Sequence, residues 1–142
     1  MSLESVETIL AYTAGIVDGE GSIYMKRSAP GRSHGYSIFL RVGVTSGELI
    51  HWLIVHFGGW SEPAMLPGNR KPLWRWALYG EAAAALLQRL LPYLVIKRRQ
   101  AELVIDFYSV RNPRRQHLSE DEKERRARIC SELHRLNHRG VA

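Results

Sequence analysis

Two carboxylates, Asp18 and Glu20, stand close together in the segment Thr13 to Gly21, TAGIVDGEG. The segment closes a helical stretch, Glu4 to Asp18, which Ser5 or Ser2 can cap and whose faces Ile9, Leu10, Ile16 and Val17 fill. Gly19 and Gly21 stop it. The acids therefore meet the negative end of the helix macrodipole, where each costs roughly 0.3–1 kcal/mol. Local stability does not account for them. Ala11, Gly15 and Gly19 recur at every fourth position and leave one helix face almost bare, so a second helix can pack closely there. Two such helices side by side bring two Glu20 carboxylates together, and paired carboxylates repel unless a cation lies between them. Oxygen donors of this kind, backbone carbonyls included, suit a hard divalent ion such as Mg²⁺. The expectation is a metal site at a subunit interface. Taken singly, an acid near a helix end is usually solvated and a small residue usually marks intrachain packing. The combination, running straight into Ser22-Ile23 and a strand, shifts the balance.

The elements that must position these residues follow from periodicity. Ser22 to Ser28 and Tyr36 to Thr45 read as a hairpin around the turn-rich APGRSHG, Ala29 to Gly35. In its second strand Ile38, Leu40, Val42 and Val44 alternate with Ser37, Phe39, Arg41 and Gly43, a period of two with one buried face. Glu48 to Phe57 is helical and ends at Gly58-Gly59. Trp60 to Leu66 and Pro72 to Tyr79 form a second hairpin, its prolines pointing to an edge. Glu81 to Leu91, Lys97 to Val110, and a stretch from the Ser119/Glu122 capping box towards Asn137 supply three more helices. The order α-β-β-α-β-β-α-α-α predicts an α+β fold: a four-stranded antiparallel sheet with helices on one face and the other face open.

Charge suggests what the open face meets. The 142 residues, 45% hydrophobic and 24% charged, suffice for one domain with its own core. Twenty Lys and Arg against fourteen Asp and Glu leave +6, and the four acids of residues 1 to 22, unaccompanied by any base, give way to a basic body. Lys26, Arg41 and Arg75 among Ser, Tyr and Phe on an open sheet suit a duplex, with side chains entering the major groove. The lone Cys130 excludes an intramolecular disulfide and a Cys-rich zinc module. No apolar run reaches the ~18 residues of a membrane span, and the acidic start is unlike a signal peptide. The expectation is a protein of the prokaryotic cytoplasm or an organelle, without a membrane partner. His51 and His56 do not align on a helix, and His134 and His138 at i, i+4 do not make a recognisable metal-ligand set, so all four are expected on the surface or in packing.

TAGIVDGEG resembles the signature of the LAGLIDADG homing endonucleases, matching in Ala14, Gly15, Asp18 and Gly21, with conservative Ile16, Val17 and Glu20. The strand order is similar to that family's αββαββα core. Leu91-Pro92-Tyr93-Leu94 ahead of Lys97 to Leu103, KRRQAEL, is similar to the segment carrying the family's active-site lysine. The likeness covers about residues 7 to 110.

The resemblance implies a saddle-shaped antiparallel sheet with extra C-terminal helices, in a single DNA-binding and cleavage domain over 1–142. Its core spans about 5–110 and its C-terminal helical segment about 118–138. In the family the last acid of the motif binds the catalytic metal, here Glu20, and the preceding residue, Gly19, lends its carbonyl. Mg²⁺ is the implied ion, with Mn²⁺ or Ca²⁺ able to take the same sites. Glu20 departs conservatively from the more frequent Asp. Asp18, the first acid, ranks second, being associated more with the helix end and the interface. Lys97 is implied to polarise the water network or steady charge on the scissile phosphate, unless it is a plain phosphate-positioning lysine beside Arg98 and Arg99. Ser46 and His51 are the nearest residues to the polar group that members often carry after the second strand, and neither is a convincing match.

One copy of the motif implies a homodimer, with Ala11, Ala14, Gly15 and Asp18 at its interface. Such a dimer reads a long pseudopalindromic duplex and cuts both strands across the minor groove, leaving short 3′ overhangs in an allele that lacks the intron or intein. Parity assigns Ser22, Tyr24, Lys26 and Ser28, then Ser37, Phe39 and Arg41, to the DNA face; Arg75 follows, with Trp74 and Trp76 in the core. Arg32, Arg70 and Lys71, in or near turns, are expected on phosphates. A DNA-binding regulator on the same fold would be expected to lose the acid that Glu20 supplies, while an RNA maturase is not separated by sequence. An accidental motif in a basic interaction domain is disfavoured by Lys97.

Overall fold

The computed structural model describes residues 5–27, 35–64, 68, 72–110 and 118–138. Helix α1 spans Val6–Glu20 and starts at Ser5, whose hydroxyl accepts the Thr8 amide at 3.1 Å. It runs past Gly19, the first expected stop, and closes at Gly21, which turns to extended backbone while its amide donates to the Val17 carbonyl, and no larger residue fits there. A Cβ on Gly21 would lie 2.7 Å from the Val17 carbonyl oxygen. The chain therefore passes from Glu20 into β1 (Gly21–Arg27) with no loop between.

Strand β2 (Tyr36–Val44) pairs antiparallel with β1. Helix α2 (Gly47–Phe57) is capped by Ser46 and ends at Gly58, whose φ of 69° suits glycine. Strands β3 (Trp60–Ala64) and β4 (Leu73–Tyr79) form the second hairpin. Helix α3 (Gly80–Leu90), a 3-10 turn at Leu91–Tyr93, α4 (Arg98–Ser109) and α5 (Glu120–Asn137) follow. The expected element order is present, in one four-stranded antiparallel sheet ordered β1-β2-β4-β3. Pro63 falls on β3, an edge strand, where a missing amide costs no ladder bond.

Alternation in β2 decides which side is core. Ile38, Leu40 and Val42 face the helices beside Ile23, Trp76 and Leu78, all at most 6% exposed. Val17, Leu87, Leu90 and Val104, all fully buried, close that layer from α1, α3 and α4. Burying a side chain of this size contributes about 1.5–3 kcal/mol. Trp76 belongs to this core as expected, its Nε1 donating to the Gly58 carbonyl at 2.7 Å.

Helix α5 begins at Ser119, whose hydroxyl accepts the Glu122 amide at 3.1 Å, and buries Ile129 and Leu133. Arg125 donates to the Asp106 and Phe107 carbonyls at 3.0 and 3.2 Å and so ties α5 to the end of α4. At the far end Asn137 Nδ2 donates to the Ile23 carbonyl at 2.8 Å, covering part of the open edge of β1. No helix among the described residues is long and apolar enough to cross a membrane.

Candidate active site and nucleic-acid interface

Glu20 is the last residue of α1 and is exposed, with no basic residue in the final helical turn to offset it. Asp18, two residues earlier, is engaged inside the chain. Its Oδ2 accepts the Val95 amide at 2.8 Å, and its Oδ1 accepts those of Ile96 and Lys97 at 3.1 and 2.9 Å. One carboxylate thus satisfies three amides at the start of α4, where the macrodipole favours an anion. Lys97 returns the contact through its ammonium, which donates to the Asp18 carbonyl at 2.7 Å. That carbonyl is among those α1 leaves without an intrahelical donor.

These contacts, with burial, place three of the residues read from the sequence. Asp18, expected at a subunit interface, commits its carboxylate to residues 95–97 of its own chain. Ala14 was assigned to the same interface, yet it is fully buried, because the helix turns it towards the sheet while Ala11 and Gly15 stay exposed. Ser46, the nearest candidate for positioning water, uses its Oγ to cap α2, accepting the Leu49 amide at 3.2 Å. A Cβ on Gly15 or Gly19 would meet nothing within 4 Å, so the bare stripe is open within one chain.

Glu20 with the Gly19 carbonyl offers oxygen donors only, the kind Mg²⁺ or Ca²⁺ accepts, and fits as part of a site needing about six ligands. Among the described residues no group of three His, Cys, Asp or Glu side chains could hold a metal. His51 is exposed on α2. His134 and His138 lie ring to ring at 4.3 Å near the end of α5, remote in sequence from either acid.

The outer face of the sheet gathers the residues that parity assigned. Ser22 lies opposite Arg41, Tyr24 opposite Phe39 and Lys26 opposite Ser37 across β1 and β2. Arg75 is on the same face, opposite Gly43 and Glu62. Ser28, Arg32, Arg70 and Lys71 lie outside the described residues. Sequence reasoning missed three side chains here. Tyr79 stands beside Phe39, Trp60 flanks Ala77, and Glu62 approaches Arg75 at 3.7 Å. The signal for Tyr79 was present in β4, where it keeps the parity of Arg75, but the tryptophans on both sides of Arg75 obscured the alternation.

Comparison with solved structures gives this arrangement of helices and strands a family likeness. The homing endonuclease I-CvuI, in complex with its target in the presence of calcium, superposes with a TM-score of 0.71 at 23% identity, over 90% of this chain and 81% of that one. The archaeal intron-encoded homing endonuclease I-Vdi141I, complexed with DNA, gives 0.76 at 14% identity over 96% and 89%. I-SmaMI, bound to an uncleaved DNA target in the presence of calcium ions, gives 0.64 at 18% identity; the match covers 89% of this chain but 45% of that one. No protein-family model and no curated protein sequence matches. The likeness is thus one of fold, and the fold is that of the LAGLIDADG homing endonucleases.

Proposed function

We propose that the chain is a site-specific homing endonuclease that binds a long pseudopalindromic duplex as a homodimer and hydrolyses both strands with divalent metal ions, leaving short 3′ overhangs. The observation that carries this reading is Glu20, an exposed acid at the dipole-disfavoured end of α1, beside the bracket that holds Lys97 and opening directly onto a basic sheet face. Stability gives no reason for an acid there, and metal binding does.

Each chain contributes a defined set of groups. The Glu20 carboxylate and the Gly19 carbonyl are the residues that would hold Mg²⁺. When bound there, such an ion supplies water of lowered pKa and stabilises charge on the attacked phosphate. The Lys97 ammonium, kept at the end of α1 by the Asp18 carbonyl, is available to offset negative charge developing on that phosphate. Lys26, Arg41 and Ser22 on the outer face contact the duplex and fix its register.

Dimerisation is supported by surface that one chain leaves bare. Val95 and Ile96, 82% and 70% exposed, are fastened by their amides to Asp18 of α1, and Tyr12 is 56% exposed on that helix. A second copy packing on Ala11 and Gly15 would cover apolar surface of this kind and bring a second Glu20 near the first.

The test is cleavage of a duplex spanning the uninterrupted insertion site, with Mg²⁺ or EDTA, by the native protein and by Glu20→Gln. Double-strand cleavage that needs Mg²⁺ and vanishes in Glu20→Gln, with binding retained, is expected. Tight binding without cutting in either Mg²⁺ or Mn²⁺ would overturn the endonuclease in favour of a regulator or maturase.

A further inference from the structure

The centre of the outer sheet face is aromatic. Tyr24, Phe39 and Tyr79 come from β1, β2 and β4, and the register makes each the direct neighbour of the next. The Tyr24 and Phe39 rings stack at 4.8 Å with 19° between their planes, and Tyr79 meets Phe39 edge-on at 5.0 Å and 78°. Arg41 leans on the same group, its Cζ 5.4 Å from the Tyr24 ring centre and 5.9 Å from that of Phe39. Tyr79 is 43% exposed, so the cluster is only partly covered by its own members.

Rings stacked on one another cross-strand stand up from a sheet and turn edges outward, because each occupies its neighbour's face. An unpaired base stacks on a free ring face, so this packing is a poor platform for single strands. It is a good surface for something apolar. Within the major groove the base edges present hydrogen-bond donors and acceptors, and the one apolar group that stands out from them is the C5-methyl of thymine, where cytosine has only a C5–H. Covering donors and acceptors with ring edges would leave them desolvated without partners, whereas a methyl gains by the contact. Thymine also presents its O4 acceptor beside that methyl, within reach of a donor such as a tyrosine hydroxyl or a guanidinium.

Resting on the DNA-binding reading above, we infer that Tyr24, Phe39 and Tyr79 form a thymine-methyl reader, giving each half of the target a preference for thymine where the duplex crosses the middle of the sheet. Arg41 is braced against the same rings and reads the adjoining base.

The probe is a duplex recovered by selection from a randomised pool, remade with deoxyuridine in place of thymine, which deletes the methyls and leaves every hydrogen-bonding edge intact. Binding of the native protein is expected to fall about fourfold for each buried methyl lost. Tyr24→Ser and Phe39→Leu should each bind the thymine duplex more weakly and lose part of the difference between thymine and uracil. Because the change is made in the DNA, the comparison does not depend on the variants folding. Equal affinity of the native protein for both duplexes overturns the methyl reader while leaving DNA binding intact. Failure to recover any duplex from the pool overturns both readings.

Discussion

Asp18 and Lys97, 79 residues apart, hold each other twice: the Asp18 carboxylate accepts the Lys97 amide at 2.9 Å, and the Asp18 carbonyl accepts the Lys97 ammonium at 2.7 Å. The first contact caps α4 and the second extends the lysine across the end of α1. A single residue of the motif thereby joins the two landmarks recognised separately in the sequence, and its carbonyl holds the lysine two residues before Glu20, the acid assigned to metal.

Asp18→Asn should therefore damage more than it removes. An asparagine keeps one acceptor but turns a donor towards amides that also donate. Hydrogen bonds to a charged acceptor are worth about 1.5–3 kcal/mol each in the general case, and at this partly exposed site a total loss of ~1–3 kcal/mol is expected. Thermal unfolding should show a midpoint several degrees lower. An unchanged midpoint would mean that the bracket carries no load.

The motif glycines should differ sharply in tolerance. At Gly19 a Cβ meets nothing within 4 Å, whereas at Gly21 it would be 2.7 Å from the Val17 oxygen and 2.9 Å from the Val17 Cα. Both obstacles at Gly21 are backbone and cannot swing aside. Gly19→Ala should leave the fold of the single chain as stable or slightly more stable, by up to ~1 kcal/mol, through helix propensity, when unfolding is measured at concentrations where the chain is monomeric. Gly21→Ala should cost ~1–3 kcal/mol in denaturant unfolding. Equal effects would contradict the geometry at the end of α1.

Assembly can be probed where one chain is open. Gly15→Leu places bulk on the bare stripe, and Ile96→Asp puts a charge on the exposed apolar segment. Sedimentation should report a dimer for the native protein and a folded monomer for each variant, with little change in the circular dichroism of the chain. A native protein that sediments as a monomer on and off DNA would remove the homodimer from the proposal.

Acid should loosen the α4–α5 junction before it reaches the core. The hydrogen bond from Arg125 holds the Glu122 carboxyl below its ordinary value of 4.5, burial opposes this, and Arg126 adds to the lowering. A carboxyl with a depressed folded-state pKa contributes stability that is present above the unfolded value and disappears as pH falls through the folded one. Unfolding stability should therefore decline from about pH 4.5 downwards, and Glu122→Gln should show lower stability at neutral pH with a shallower acid slope. Identical slopes for the two proteins would show that the pair is not linked to folding.

Much of this was determined by the sequence alone, for a local reason. Alternation at Ile38, Leu40 and Val42 set the buried face of β2, and Ser5 and Ser119 marked helix starts, because periodicity and capping act within a few residues. The same locality let parity assign Tyr24, Phe39 and Arg41 to one face. What depended on contacts across long stretches of chain was decided only in three dimensions. The helical phase of α1 against the sheet turned Ala14 inward and left Gly15 open. The approach of α4 to the end of α1 made Asp18 a cap and gave Lys97 its place. Register across three strands joined Tyr79 to Phe39, since a shift of one residue would have sent its ring to the other face. Residue types proposed the chemistry, and packing chose which copies of each type were free to perform it.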